Sequence, residues 1–189
     1  MTVPRQLPNA ITIVRILLAP IFLWMLLADD GANGALRWWA AVLFIVAIAS
    51  DGIDGYIARR YDIVSDLGKL LDPIADKVLT GAAFVGLSIL GELDWWVTII
   101  VLIREIGITV YRFMVVSDHV LAAAWMGKLK TVAQAVALSL ALLPLAPLVG
   151  EWIVWVNIVT MWAAVILTIA SGLDYVVSEV RGARKRRAA

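Results

Sequence analysis

The stretch "WWAAVLFIVAIASDGIDGYIARR", Trp38–Arg60, decides the architecture. From Trp38 to Ala49 it carries no charge. Then Asp51 and Asp54 arrive three positions apart, followed by Gly55, Ala58 and the paired Arg59 and Arg60. Carboxylates are costly near lipid. Two of them closing an apolar run therefore need a chemical reason, and the rest of the chain must say whether lipid is the surrounding solvent.

It is. Of 189 residues, 62% are hydrophobic, and the mean hydropathy is +0.92. An ordinary soluble domain is about 45–50% apolar. A membrane helix needs about 20 mostly apolar residues, and six segments qualify: 9–28, 36–59, 67–90, 94–116, 129–149 and 151–175. Short polar links such as "DDGANG", "GELD" and "PLVGE" separate them. The expectation is an all-α integral membrane protein, a bundle of six transmembrane helices forming a single membrane domain over 1–189, with a basic tail at 176–189. The run Ile16–Ala28 reads as a retained first span. Its leading residues are weakly basic, and no small-x-small cleavage site follows it.

Six spans put both termini on one side, and the basic residues say which. Of the 16 lysines and arginines, only Arg37 falls on the side away from the termini. Both termini are thus expected in the cytoplasm. The opposite face carries Asp29, Asp30, Glu92, Asp94 and Glu151. It also has tryptophans near the span ends (Trp38, Trp39, Trp95, Trp96, Trp152 and Trp155), where an interfacial aromatic belt would lie. With no cysteine there is no disulfide or thiolate site. A single histidine, His119, rules out a multi-histidine metal site within one chain. His119 reads as an exposed loop residue.

From Asp51 onward the acids follow the spacing D-x2-D-G-x2-A-R-x8-G-x3-D-x3-D, ending at Asp76. At 100° per residue, Asp51, Asp54, Gly55, Ala58 and Arg59 fall within about 140° of one helix face. Gly68, Asp72 and Asp76 recur every four residues and form a row on the next helix. A short cytoplasmic link makes the two helices antiparallel, so four carboxylates converge. Their mutual repulsion calls for compensating cations. Oxygen ligands alone suit hard divalent ions. A pair of Mg2+ or Mn2+ ions would answer the repulsion and make a site for phosphate chemistry. Gly55 and Gly68 leave room for a bulky substrate to approach the backbone, and Arg59 suits a phosphate. Pro73 is expected close to the first turns of its helix, where a missing N–H does least harm.

At these residues the sequence resembles the CDP-alcohol phosphatidyltransferase family, and all eight defining positions match. The resemblance implies a six-helix membrane enzyme of the bacterial cytoplasmic (inner) membrane. It would be a homodimer, with a two-metal site facing the cytoplasm. It would move a phosphatidyl group from CDP-diacylglycerol to an alcohol and release CMP. On that reading Asp51, Asp54, Asp72 and Asp76 hold the metals. Asp76 also takes the proton of the acceptor hydroxyl. Gly55, Arg59 and Ser65 contact the cytidine diphosphate, with Gly68 beside them. No nucleic-acid partner is implied.

The signature fixes the donor and leaves the alcohol open. "LPNAITIVRILLAP" (7–20), "REIGITVYR" (104–112) and "GKLKTVAQ" (127–134) resemble the phosphatidylglycerophosphate synthase branch, which implies glycerol 3-phosphate as acceptor. A small dianion needs cations beside the metal site, and Arg104, Arg112, Lys128 and Lys130 are the candidates. Arg104 sits about ten residues into an apolar helix, where anchoring at an interface explains it poorly. Asn9 reads as an N-cap after Pro8, and in the family the region Asn9 to Thr12 also borders the nucleotide pocket. Arg15, well inside the first span, asks for a partner that the sequence does not name.

Inositol phosphate, or phosphatidylglycerol in a cardiolipin synthase, are the rival acceptors. A cation transporter is the rival from another class, since intramembrane acids mark ion pathways. Its acids should spread across the bilayer, whereas the signature acids cluster at one end.

Overall fold

A computed structural model describes residues 7–60, 66–114 and 124–188, and within them the side chains of 9–50, 71, 73–111, 125–178 and 180. The described residues are helical throughout, apart from their links. The helices are α1 (Leu7–Ala28), α2 (Ala35–Arg60), α3 (Asp66–Ile89), α4 (Trp95–Met114), α5 (Ala124–Leu142), the single turn α6 (Ala146–Val149) and α7 (Trp152–Ala188). A helix lies over each of the six apolar segments. By length and composition alone, Asn9–Ala28 and Trp152–Ser178 are apolar enough to cross a membrane, and Ala35–Ser50 is a shorter apolar stretch.

Successive helices run up and down. α1 packs on α2 and α3, α5 packs on α7, and α4 bridges α3 and α7. The core lies where α1, α2 and α3 meet, around Phe22, Leu26, Phe44, Leu79, Phe84 and Leu87, and it continues to Leu138 and Leu142 of α5. Phe22 and Phe44 tilt against each other with centroids 5.4 Å apart. Gly86 lets α1 and α3 close up. A Cβ there would stand 2.6 Å from Leu26 Cδ2 and 3.0 Å from Leu23 Cδ1. The outer surface carries many large apolar side chains. Leu17, Trp24, Ile103, Trp155 and Val159 are all exposed.

Local chemistry sets the helix ends. Asp29 accepts from the backbone N–H groups of Gly34 (3.0 Å) and Arg37 (3.2 Å), so an acid five residues upstream of Gly34 caps the start of α2. α3 ends in a Schellman turn. Gly91 (φ +73°) is left-handed, the Glu92 N–H bonds to the Leu87 carbonyl at 2.9 Å, and the Gly91 N–H to that of Ser88 at 3.1 Å.

One buried arginine ties this end of the bundle together. Arg37 donates to both carboxylate oxygens of Glu92 (2.7 and 2.5 Å) and to the carbonyls of Leu142 (2.8 Å) and Ala141 (3.0 Å). The one base that charge counting assigned to this side is therefore a tether between α2, the α3–α4 link and the end of α5. Further down, the Thr98 and Ser88 hydroxyls bond at 2.7 Å and the Thr98 hydroxyl donates to the Phe84 carbonyl, which joins α3 to α4.

Several boundaries differ from expectation. α5 runs 124–142 rather than 129–149, because Pro144 and Pro147 lack the N–H groups a continuing helix needs and push the residues before them out of the α region. The basic tail is not a separate element: α7 continues through it to Ala188, 37 residues in all. α1 is already helical at Leu7, so Asn9 stands inside the first turn instead of capping it, and the N-cap reading is wrong. Pro73 lies in the body of α3 as its eighth residue, counted from Asp66, and removes the N–H that would have met the Lys69 carbonyl.

Candidate functional site

The end of the bundle opposite Arg37 gathers charge. Glu105, on the inward side of α4, is almost fully buried. Three cations reach it from three helices. Lys77 Nζ of α3 stands 2.8 Å from Oε2, Lys130 Nζ of α5 donates to Oε1 at 2.5 Å, and Arg104 Nη1 of α4 itself lies 3.1 Å from Oε1. Lys77 also donates to Asp76 Oδ2 at 2.7 Å. Arg104 Nη2 donates to the Ser171 hydroxyl of α7 at 2.8 Å, and Gln134 of α5 donates to Thr168 of α7 at 2.9 Å. Glu105 thus joins α3, α4 and α5 directly, and α7 through Arg104.

Helical periodicity puts these groups together. Arg104 and Glu105 fall two to three turns before the end of α4. Lys130 falls in the second turn of α5, and Asp76 and Lys77 in the third and fourth turns of α3. Antiparallel neighbours bring these positions level. Burying a carboxylate is costly unless it is paired, and here three cations surround one acid. Among the described side chains, the cluster sets Lys77, Arg104 and Lys130 against Asp76 and Glu105. Lys77 and Glu105 also line a mostly apolar groove of about 270 Å3 between α3 and α4, which runs past Ile74, Phe84, Leu102 and Ile106.

The signature residues are placed as follows. Asp51, Asp54, Gly55 and Arg59 lie on the last turns of α2, which stays helical through Arg60. Gly68 and Asp72 lie on the first turns of α3. Their backbones therefore keep the helical registers on which the shared faces depend. Their side chains, those of Arg112 and all of Ser65 and His119 lie outside the described set. Asp76 is the one signature acid with a described side chain, about one quarter exposed and holding a cation on Oδ2. Of the acceptor candidates, Arg104 and Lys130 come together on Glu105, while Lys128 is exposed on α5. Thr12 and Arg15 are buried in α1. Arg15 Nη2 reaches the Ser50 hydroxyl at 3.5 Å, next to Asp51, which names a partner the sequence withheld.

Asp76 takes an ammonium on Oδ2, and among the described residues no three histidine, cysteine, aspartate or glutamate side chains gather as a metal site. The other three signature acids are carried at helical spacing on the end of α2 and the start of α3, and carboxylate oxygens are the donors that a hard divalent cation would take.

Residues 5–174 match the family model for CDP-alcohol phosphatidyltransferase. The chain belongs to the CDP-alcohol phosphatidyltransferase family. It is 44% identical to a protein of Mycobacterium tuberculosis (strain H37Rv) named a probable phosphatidylglycerophosphate synthase, over 93% of this chain and 82% of that one. It is 36% identical to the CDP-diacylglycerol–glycerol-3-phosphate 3-phosphatidyltransferase of Bacillus subtilis, over 90% and 93% of the two chains. The protein of the same name from Rickettsia prowazekii is 34% identical over 93% and 96%.

Within this phosphatidyltransferase, Glu105 is a residue of the site that the signature spacing does not pick out. The signal was available, because an acid inside an apolar helix demands a partner and marks a site. What sequence did not supply was the identity of the partners, which lie 28 residues before it and 25 after it.

Proposed function

We propose that the protein transfers the phosphatidyl group of CDP-diacylglycerol to the sn-1 hydroxyl of glycerol 3-phosphate, giving phosphatidylglycerophosphate and CMP in phospholipid biosynthesis. The observation that carries the acceptor is the gathering of three cations, buried Lys130 and part-buried Arg104 and Lys77, around Glu105 beside the last signature acid, Asp76. A neutral alcohol has no use for them, and the relatives named for glycerol 3-phosphate agree.

The proposed setting is a six-span homodimer in the bacterial cytoplasmic membrane, with both termini and the site on the cytoplasmic side. The basic bias of that side and the apolar outer surface of the bundle support it. CDP-diacylglycerol enters from the inner leaflet with its acyl chains still in lipid.

Asp51, Asp54, Asp72 and Asp76 would hold two Mg2+ or Mn2+ ions, which supply charge neutralisation for the diphosphate and for departing CMP. The chain's own groups do the rest. Arg59 grips the diphosphate. Gly55 and Gly68 leave space at the backbone, with Asn9, Thr12 and Ser65 bordering the nucleotide. Arg104, Arg112, Lys128 and Lys130 receive the phosphate of the acceptor. An ammonium has three donors, and the described contacts of Lys130 engage one, on Glu105. Asp76 accepts the proton of the sn-1 hydroxyl. The oxygen attacks the phosphorus that bears diacylglycerol, and the bond from that phosphorus to the CMP oxygen breaks in the same displacement. No activated nucleophile is needed from the protein.

The test is CMP release by purified protein in detergent with CDP-diacylglycerol, Mg2+ and each acceptor in turn. Release with glycerol 3-phosphate is expected. Release with inositol phosphate or phosphatidylglycerol alone would refute the acceptor, and no release with any acceptor would refute the enzyme.

A further inference from the structure

We infer that Glu105 is a positioning residue that works through Lys77 on Asp76, keeping the cation of Lys77 shared and so leaving Asp76 able to serve as ligand and base. This rests on the reaction proposed above. Lys77 follows Asp76 directly in sequence and lies 2.7 Å from its Oδ2. With nothing opposite, that ammonium would settle wholly on Asp76, neutralise it and compete with any divalent cation for the same oxygen. Glu105 stands opposite. Its Oε2 is 2.8 Å from the same Nζ, so the lysine is held between two carboxylates at nearly equal distances. The other oxygen, Oε1, takes Lys130 and Arg104, the two described cations assigned to the phosphate of the acceptor. One buried carboxylate therefore faces the donor side with one oxygen and the acceptor side with the other.

Two alternatives fit the geometry less well. A purely structural staple between helices would need one counter-charge, as at Arg37, whose other partners are backbone carbonyls. A second general base is excluded by burial and by occupation. Glu105 is only 4% exposed and both of its oxygens are engaged by cations.

Glu105→Gln tests this. The amide keeps the shape and can still accept from Lys130, but its NH2 cannot accept from Lys77. Lys77 then turns to Asp76, and the cluster gains a positive charge. Turnover should fall about tenfold or more, the weight of one charge-assisted contact. The half-saturating Mg2+ should rise several-fold, while the KM for glycerol 3-phosphate should stay level or fall. A readout free of catalysis is Mn2+ binding to the purified protein in detergent without substrates, followed by electron paramagnetic resonance; its affinity should weaken in parallel.

On a Lys77→Met background, Glu105→Gln should change neither Mn2+ affinity nor Mg2+ requirement further, since the route through Lys77 is gone. Glu105→Asp, which keeps the charge, should recover part of both and serves as the variant of record if Glu105→Gln does not fold. Lower turnover with Mg2+ requirement and Mn2+ affinity unchanged would overturn the inference, as would additive effects on the Lys77→Met background. A wild-type protein that releases no CMP would instead overturn the reaction, and the Mn2+ measurement would still judge Glu105.

Discussion

Arg37→Met should destabilise the bundle strongly without touching substrate use. The side chain is 2% exposed and makes four hydrogen bonds, two to Glu92 and two to the carbonyls that end α5. Removing one member of a fully buried ion pair costs about 3–5 kcal/mol, because the other charge is left without compensation. Glu92 is 34% exposed, so water can take over part of its loss. The two carbonyls lose a partner at about 1 kcal/mol each at most. The sum is about 2–4 kcal/mol, or roughly 5–15 °C in the unfolding midpoint for a chain of this size.

The assay is thermal unfolding in detergent of four proteins: wild type, Arg37→Met, Glu92→Gln and the double variant. Val159→Ala on the exposed surface serves as control. The double variant should be no less stable than Arg37→Met, because a hydrated Glu92 has nothing left to lose. The KM for glycerol 3-phosphate should not move, since Glu92 and Lys77 are 15 residues apart along α3 and its turn, roughly 20 Å at 1.5 Å per residue. A midpoint for Arg37→Met within about 1 °C of the control would refute the tether, and a shifted KM would refute the separation of the two ends.

Asp76→Asn should abolish measurable turnover, at least about a hundredfold as expected for a lost general base, while CMP release above a tenth of wild type would remove Asp76 from that role. Lys128→Ala should raise the KM for glycerol 3-phosphate with little change in kcat, and an unchanged acceptor dependence would strike Lys128 from the phosphate site. Gly86→Ala should cost about 1–3 kcal/mol by overpacking against Leu26, whereas Gly107→Ala, with nothing within 4 Å of its added Cβ, should be neutral or gain up to about 1 kcal/mol of helix propensity. Paired thermal melts check both, and equal effects would refute the close approach of α1 and α3.

The helices and the family were legible in sequence because long apolar segments announce themselves by composition, and because the signature is a local pattern on two consecutive helices. Errors fell where a local rule met a longer-range one. Pro8–Asn9 has the chemistry of a helix start, yet the helix is already formed at Leu7. The apolar count carried the fifth segment across Pro144, although backbone geometry stops α5 at Leu142. The partners of Arg15, Arg37 and Glu105 were illegible, since Ser50, Glu92, Lys77 and Lys130 lie 25 to 55 residues away and only packing aligns them.

The two ends of the bundle use the same side chains for opposite purposes. At one end a single cation, Arg37, meets a single counter-charge and enough carbonyls to occupy four of its five donors. Charge is balanced there, and nothing in the arrangement calls for a ligand. At the other end, among the described side chains, Lys77, Arg104 and Lys130 outnumber Asp76 and Glu105. The backbones of the remaining signature acids, Asp51, Asp54 and Asp72, lie along the end of α2 and the start of α3. On the proposed reaction these acids would face the donor and the cations the acceptor. A dianionic acceptor and divalent cations would then meet at one carboxylate, Asp76, and the stability of this end would depend on substrate and metal. Mg2+ together with glycerol 3-phosphate should raise the unfolding midpoint of the wild type and should do so far less for Asp76→Asn, whereas Arg37→Met should keep the full ligand-induced rise from its lower starting point. An equal rise in all three proteins would mean that the ligands bind elsewhere.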